Sequence, residues 1–504
     1  MRQAYRHVDS ARFKAIAAIN ENLSKAFRHD PIGALVEQLR VALQSECYAT
    51  ADAIRAYLMV HWPKLEPADK ARIVPLALRC LVALGEVEAI RALLAQAGEL
   101  AFENDYTLTC LSVYGLAPGA PGVSEHLATL PRSGRLNTFY LNQPERVCRA
   151  ETFGIAARAL ASGGPAETLL LLANHHAANG SHAMARDLLN RFLDGRGVST
   201  LGRTVFEPGR FFPELTFEKA LPESPDGPLV SVVMSAYMAA GTIGYALDAI
   251  TAQSHRNIEV LVCVDDSPDE TLAIARAAAQ RDGRVRIFRS KGNQGPYNIR
   301  NQMLAQAGGA YITFADADDI AMPERIETQL AAIRGGAQGA DGTDTAATPA
   351  GMKVASKARW LRLRPDGQTV FFGDGLAQRP CLNSLMVRAE VFKRTGPFVP
   401  VMFGGDTVFY ERLRALFGSD AIAEVDQPLV LGLWGEGSLT RQEGSAAHED
   451  GYRAPARRAF AEIVFRNELR SPGILADGDS ALEAELSEAG LLTPPTGSEP
   501  ADRP

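Results

Sequence analysis

A chain of 504 residues is too long for one ordinary domain, and 46% apolar against 22% charged residues is enough to build roughly two or three cores. The formal charge of −7 leaves no global basic field to draw in nucleic acid or anionic membrane. Cys47, Cys80, Cys110, Cys148, Cys263 and Cys381 are scattered, with no C-x-x-C pair and no zinc spacing, which reads as buried reduced thiols in a cytosolic protein.

The chain begins with Arg2, Arg6, Arg12 and Lys14 but has no hydrophobic segment beside them, so this stretch does not read as a secretory signal. No apolar run is long enough to span a membrane. These features predict a soluble cytoplasmic protein. The alternative is a basic amphipathic helix holding the chain peripherally at the inner face of the membrane.

Residues 1–202 read as an all-α region. "EVEAIRALLAQAGEL" carries Val87, Ile90, Leu93, Leu94 and Ala97 at helical spacing. "ETLLLLANHHAANGSHAMARDLLNRFL" predicts two antiparallel helices joined near Asn179–Gly180, with Ala173, Ala177 and Ala185 allowing close approach. That segment resembles a tetratricopeptide-like unit, and "LRCLVALGEVEAIRALLAQA" is a weaker match. No fixed period joins them, so a plain helical bundle stands beside the repeat reading. A protein partner is one expected use of such a region.

Residues 203–228, "RTVFEPGRFFPELTFEKALPESPDGP", are rich in proline and glycine and predict a linker. A fragment starting near Glu214 is accordingly expected to fold without the helical part. Over 229–470 the pattern changes to strands and helices. "LVSVVMSAY", "IEVLVCVDDS", "VRIFRS" and "YITFADADD" are β-branched runs separated by segments long enough for crossover helices. Their apolar character predicts a parallel sheet covered on both faces. "RGGAQGADGTDTAATPAG" reads as a surface loop, and Pro365–Asp366–Gly367 as the turn of a hairpin. The acidic tail, 471–504, is expected to be mostly disordered apart from a short helix near Ala481 to Leu491.

In such sheets ligands sit at the carboxyl ends of the strands, where this chain places Asp265–Asp266 and Asp316/Asp318/Asp319. Neither G-x-G-x-x-G nor G-x-x-x-x-G-K-[ST] is present, so the usual dinucleotide and P-loop readings fail. An EF-hand starting at Asp316 would put Glu327 twelfth. It fails because Ile320 is fifth and Ala321 stands where glycine is needed. A D-x-D-x-T phosphatase would carry its acidic pair after the first strand, and here the pair follows the fourth.

From Pro228 to about Arg441 the chain resembles family 2 glycosyltransferases of the GT-A fold. The pieces follow the family's order: "VSVVMSAYMAAGTIGYALDAITAQSHRNIEVLVCVDDSPDET", "GNQGPYNIRNQMLAQAGGAYITFADADDIAMPERI" and "NSLMVRAEVFKRTGPFVPVMFGGDTVFYERL". The chain departs at "SAYM", where the family has Pro-x-Tyr-Asn. The resemblance implies an α/β GT-A domain that binds a nucleotide-sugar donor through Mg2+ or Mn2+ and moves the sugar, with inversion, to a glycan, lipid-linked or protein hydroxyl. Surface polysaccharide or glycoconjugate synthesis is the implied setting.

The resemblance also implies individual roles. Asp318 is the expected metal ligand and Asp316 a further ligand or ribose contact, while Asp319 caps the next helix. Asp265 and Asp266 match base-contacting acids, the alternative being caps for the helix near Asp269. Arg300 matches an arginine near the nucleotide, and His448 a late metal ligand. Trp434 is read as a sugar platform or a core residue. Asp406 stands where the family has its general base, a plain N-cap being the alternative. Two rivals remain. A nucleotidyltransferase would want a glycine-rich basic stretch where "SAYMAAGT" stands, and an inactive GT-A domain would serve as a binding or assembly scaffold.

Overall fold

The structure, a computed structural model, describes residues 31–44, 47–97, 141–218, 221–224, 227–335, 353–372, 375–438, 441, 446–447, 452–470, 480–493 and 498–500. Four helices come first: α1 (Pro31–Gln44), α2 (Tyr48–His61), α3 (Pro67–Leu84) and α4 (Val87–Ala97). Their apolar stripes, among them Leu39, Leu58, Ile73, Leu78, Ile90 and Leu94, close into a core of their own. Gly85 ends α3 in a left-handed conformation, so the Gly85 and Glu86 amides bond back to Val82 and Leu81 and the chain turns into α4.

The next helices are α5 (Ala150–Ala161), α6 (Glu167–Ala178) and α7 (His182–Gly195), with left-handed Gly180 between the last two. Leu170, Leu171, Leu189 and Phe192 from this group share one core with Leu361, Leu363 and Leu431 of the sheet and with Phe371 in the connection after β6. The helices α1–α4 and α5–α7 thus belong to different cores among the described residues. Helices are present as expected, but a continuous tetratricopeptide-like stack is not confirmed.

Residues 203–218 are not a free linker. They form a strap with a one-turn helix at Phe211–Glu214, and Phe206, Phe211 and Phe212 are buried in the same core as the sheet. Phe211 lies so close to Gly367 that a Cβ there would sit 2.0 Å from its ring. Proline and glycine broke the periodicity that would have revealed this burial. A fragment starting at Glu214 loses all three phenylalanines and bares Leu361, Leu363 and Phe371.

The α/β half follows the expected order: β1 (Val230–Ala236), α8 (Ile243–Thr251), β2 (Ile258–Val264), α9 (Thr271–Arg281), β3 (Val285–Ser290), α10 (Pro296–Leu304) and β4 (Tyr311–Asp316). It continues with β5 (Ile320–Ala321), α11 (Arg325–Arg334), β6 (Ala355–Leu363), β7 (Gln378–Arg388), α12 (Gly405–Phe417), β8 (Ile422–Leu433), α13 (Pro455–Arg470), α14 (Ser480–Glu488) and β9 (Ser498–Pro500). One mixed sheet results, in the order β5-β8-β6-β7-β4-β1-β2-β3-β9.

β1 lies parallel between β2 and β4. Val230, Val232 and Met234 face Ala246 and Leu247 of α8, while Val233 and Leu261 meet Ile299 and Met303 of α10, so both faces are dry. Ser235 aligns with Cys263 on one side and Asp316 on the other. The carboxyl ends of the three strands therefore open onto one edge. The Pro365–Asp366–Gly367 turn forms as expected, with Leu363 bridging Thr369, although β7 starts only at Gln378.

The tail carries the short helix expected near Ala481 to Leu491, as α14, but its described residues are packed against the α/β half. Leu482 and Leu486 of α14 are fully buried in a core with Val401 and Phe460, and β9 pairs antiparallel with β3. An acidic composition concealed two leucines spaced one helical turn apart. The bundle α1–α4 meets this region where the Glu462 carboxylate accepts from the Ala49 amide at 2.9 Å, at the start of α2. No described helix is long and apolar enough to cross a membrane.

Phe211→Ala in the intact chain should cost about 3–5 kcal/mol in urea denaturation, the range for emptying a buried phenylalanine site. Unchanged stability would mean that 203–218 is a linker after all.

Candidate active site

The acidic cluster sits where β4 runs out. Carboxylate oxygens of Asp316, Asp318 and Asp319 all lie within 4.8 Å of one another. Arg300 Nη2 donates to Asp316 Oδ1 at 3.1 Å, and Asn383 Nδ2 donates to its other oxygen. Tyr245 donates its hydroxyl to the Asp318 carbonyl at 3.3 Å. Asp319 is buried and accepts from the Leu433 amide at 3.2 Å, tying the turn to the end of β8. The cap expected of Asp319 is not formed: α11 begins only at Arg325, with Glu324 before it.

Burial, and then the charge of Asp316, push Asp318 up to about 6, against an opposing pull from Arg362. Asp319 is raised by burial and by Asp318. Arg300 is already engaged by Asp316, so the cluster holds more negative charge than its protein partners offset. A hard divalent cation fits this donor set, since it prefers carboxylate oxygens and commonly shares them with phosphate.

One strand away, Asp265 is buried and its carboxylate is fully used within the protein. Oδ1 accepts from Ser290 Oγ at 2.7 Å and Gln294 N at 2.9 Å, and Oδ2 accepts from Gly295 N at 2.8 Å. Its role here is to shape the loop 290–295. Asp266 is half-exposed and paired with Arg289 at 2.7 Å. Neither acid caps α9. Asp269 does that work, accepting from Ser267 Oγ and from Thr271 N and Oγ1.

Met238 and Asp266, just beyond β1 and β2, each have φ of +49°. Non-glycine residues held in this region store strain, which gathers at functional sites. Met238 is where the resembling family has asparagine, a residue that adopts this conformation more readily. Tyr237 beside it is half-exposed.

Asp406 lies in the first turn of α12, not at its N-cap, which is Gly404 with φ of +78°. Tyr297 donates its hydroxyl to Asp406 Oδ1 at 2.7 Å. The ring of Tyr297 packs against Gly405, where a Cβ would lie 2.7 Å away. The same ring carries the Arg300 guanidinium at 5.1 Å from its centroid. Asp406, Tyr297, Arg300 and Asp316 thus form one continuous series.

Trp434 is a core residue, edge-on to Phe372 and faced by Arg362. His448 lies outside the described residues. Tyr297, Asn383 and Arg362 were not singled out in the sequence. Tyr297 had a visible signal, standing three residues before Arg300 on the same helix face. Asn383 had only its polarity within a mostly apolar strand, and its approach to Asp316 depends on the antiparallel pairing of β7 with β4.

A family profile described as Glycosyl transferase family 2 matches residues 231–373. This segment is similar to family 2 glycosyltransferase domains. The mixed sheet, with its acids at the carboxyl ends of β2 and β4, is the GT-A architecture expected from the sequence. Over 106 residues the chain is 38% identical to the putative glycosyltransferase EpsE of Bacillus subtilis (strain 168), covering 21% of this chain and 38% of that protein. Over 105 residues it is 34% identical to the UDP-Glc:alpha-D-GlcNAc-diphosphoundecaprenol beta-1,3-glucosyltransferase WfgD of Escherichia coli, covering 21% and 41%. The chain therefore spans less than half the length of these curated relatives. Among solved structures, S. aureus TarS 1-349 in complex with UDP-GlcNAc is similar at 17% identity and TM-score 0.34, over 52% of this chain and 79% of that one. The mannosyltransferase PcManGT from Pyrobaculum calidifontis, in complex with GDP-Man and Mn2+, is similar at 16% identity and TM-score 0.32, over 65% and 87%.

The raised carboxyls of the cluster give a pH test. A folded-state value of about 6 for Asp318 contributes stability that is present below about pH 4 and lost as pH rises through about 6. A cation held by these carboxylates favours their ionised form, so it should bind more strongly at pH 7.5 than at pH 5. Mn2+ at a hundredfold excess over its Kd should add about 2.7 kcal/mol at pH 7.5 and much less at pH 5, read as a shift in Tm. Equal shifts at the two pH values would separate cation binding from these carboxylates.

Proposed function

We propose that the chain is a metal-dependent inverting glycosyltransferase, moving a sugar from a nucleoside-diphosphate-sugar to a hydroxyl acceptor. The observation that carries this reading is the series from Asp316 to Asp406. It joins an acidic cluster suited to a cation–diphosphate complex with a separate carboxylate at the start of a helix.

In this reading Asp318 and Asp316 hold Mg2+ or Mn2+, which when bound offsets charge on the leaving diphosphate. Arg300 keeps Asp316 oriented. Asp265 and Asp266 serve the base end of the donor, Asp265 by shaping the loop 290–295 and Asp266 from the strand end. The acceptor hydroxyl attacks the anomeric carbon opposite the leaving diphosphate and gives its proton to Asp406. The metal carboxylates lie on the leaving-group side and cannot take it. Tyr297 holds one Asp406 oxygen, which leaves the other for the acceptor.

Two matched Escherichia coli proteins carry names that specify transfer of glucose from UDP-Glc to a GlcNAc linked to diphosphoundecaprenol. They support a glycan or lipid-linked acceptor here, in polysaccharide synthesis. Free buried cysteines and a nucleotide-sugar donor fit a cytoplasmic location. We assign α1–α4, with their separate core, to an acceptor or a protein partner. The inactive-scaffold reading is not favoured, because the acidic cluster stands in the segment that matches the Glycosyl transferase family 2 profile, and the series from Asp316 leads from it to Asp406.

A panel of nucleotide-sugars, scored for released diphosphate with Mn2+ and with EDTA, tests the reaction class. Full turnover in EDTA would remove the metal role. Asp406→Asn should keep fold and donor affinity and lose about 10²–10⁴ in kcat, the usual worth of general acid–base catalysis. Near-normal turnover at saturating acceptor would reduce Asp406 to a structural residue. Tyr297→Phe keeps the ring beneath Arg300 and should lower kcat about tenfold through loss of one oriented hydrogen bond to a charged group. Unchanged kcat would show that Asp406 needs no such support.

A further inference from the structure

The loop 290–295 is built around Asp265, and both of its flanks are touched by the end of the chain. On one flank β9 pairs with β3, setting Arg289 opposite Glu499 and Ser290 opposite Ser498. These two β3 residues are the partners of the base-end acids: Arg289 binds Asp266 and Ser290 Oγ donates to Asp265. β9 therefore covers the sheet edge at the pair that orients both carboxylates.

On the other flank stands Thr493. Asn298, in the first turn of α10, donates through Nδ2 to Thr493 Oγ1 at 2.8 Å, to Thr493 O at 3.1 Å and to Gln294 O at 3.0 Å. Thr493 in turn donates from N and from Oγ1 to Pro400 O, at 2.8 and 3.0 Å. Pro400 opens the segment that leads through Met402 and Gly404 to Asp406. Gly295 completes the junction, since a Cβ there would lie 2.6 Å from Met402 Sδ and 3.6 Å from Thr493 Cγ2. The strap is anchored by buried Leu482 and Leu486 and by the bridge between Leu492 and Val401.

We propose that residues 480–493 and 498–500 set the loop 289–298 for the nucleotide end of the donor and tie it to the segment carrying Asp406, with Thr493 as the positioning residue. This rests on the donor-site reading above. Thr493 joins two loops that are otherwise about a hundred residues apart in sequence (Asn298 and Pro400). A ligand that orders the loop 289–298 must favour the seated strap, and by linkage the seated strap must favour the ligand. Thr493 adds to the direct bonds between Asn301 and Phe398 and between Tyr297 and Asp406, and it alone of these also holds the loop end at Gln294 and Asn298 to residues 491–493.

The test uses the full chain with UDP and GDP as probes, each with MnCl2. Thr493→Val keeps the shape of the side chain and removes the hydroxyl that bonds Asn298 and Pro400. It should weaken nucleotide binding by about 5- to 10-fold and raise donor KM by a similar factor, with kcat at saturating donor within about twofold. Independently of any variant, amide hydrogen exchange on the unaltered chain should slow in both 289–298 and 480–493 when nucleotide is added. Thr493→Val binding nucleotide as tightly as the parent would overturn the proposal, as would protection confined to 289–298. If the parent binds neither UDP nor GDP, the donor-site reading itself fails and takes the strap's role with it.

Discussion

Three carboxylates confined at the end of one strand repel each other, and much of the surrounding structure is arranged to hold them. Two like charges about 4 Å apart cost on the order of 4 kcal/mol near a protein surface. Each acid meets this differently. Asp316 takes Arg300 and Asn383, and Asp319 takes the Leu433 amide. Asp318, at about 6, is left with the least. Arg300 itself is buried, and it is held between the faces of Tyr297 and Phe314, which partly replace the water it has lost. A cation would offset the charge of Asp318 and Asp319, both of which burial and their acidic neighbours hold above the usual carboxylate range.

Holding these groups requires rigid walls, and the helical part supplies one of them. Asn174 on α6 pairs with Thr369 as another strand would, accepting from its amide at 2.8 Å and donating to its carbonyl at 2.7 Å. Together with Phe211 against Gly367, it fixes the turn that follows β6. Arg362 lies one residue before the end of that strand, stacked on Trp360 and bonded to the Leu433 carbonyl. Leu433 is also the residue whose amide holds Asp319. Helix, turn, arginine and acid are thus in contact in series, which makes 141–218 a buttress for the α/β half.

The sequence made the parallel half legible because its signals are local. The continuous apolar run of β1, crossover-length segments and acids at the strand ends can all be read without knowing what lies opposite. What escaped was tertiary. Phe206, Phe211 and Phe212 occur among prolines and glycines with no repeat, so only a partner surface reveals them as core. Leu482 and Leu486 were outweighed by the acidic residues around them. Asp265 was visible as an acid at a strand end. That the chain returns the amides of Gln294 and Gly295 to it is a property of the loop, and those two residues carry no polar pattern announcing it.

The proposed donor and acceptor chemistry would be kept in step by the same packing. A general base is effective only if its carboxylate and the anomeric carbon hold a fixed relation, since misplacement by about 1 Å can cost a hundredfold in rate. Asp406 is on a helix of one layer and Asp316 on a strand of another, so backbone alone would leave their separation loose. Tyr297 and Arg300 close that gap: three residues apart on α10, they reach Asp406 and Asp316 respectively and stack on each other. Gly405 is what allows the approach, because any side chain there would displace the Tyr297 ring. One helix face therefore sets the distance between the two ends of the proposed reaction, and α10 begins at the loop that Asp265 and Thr493 hold.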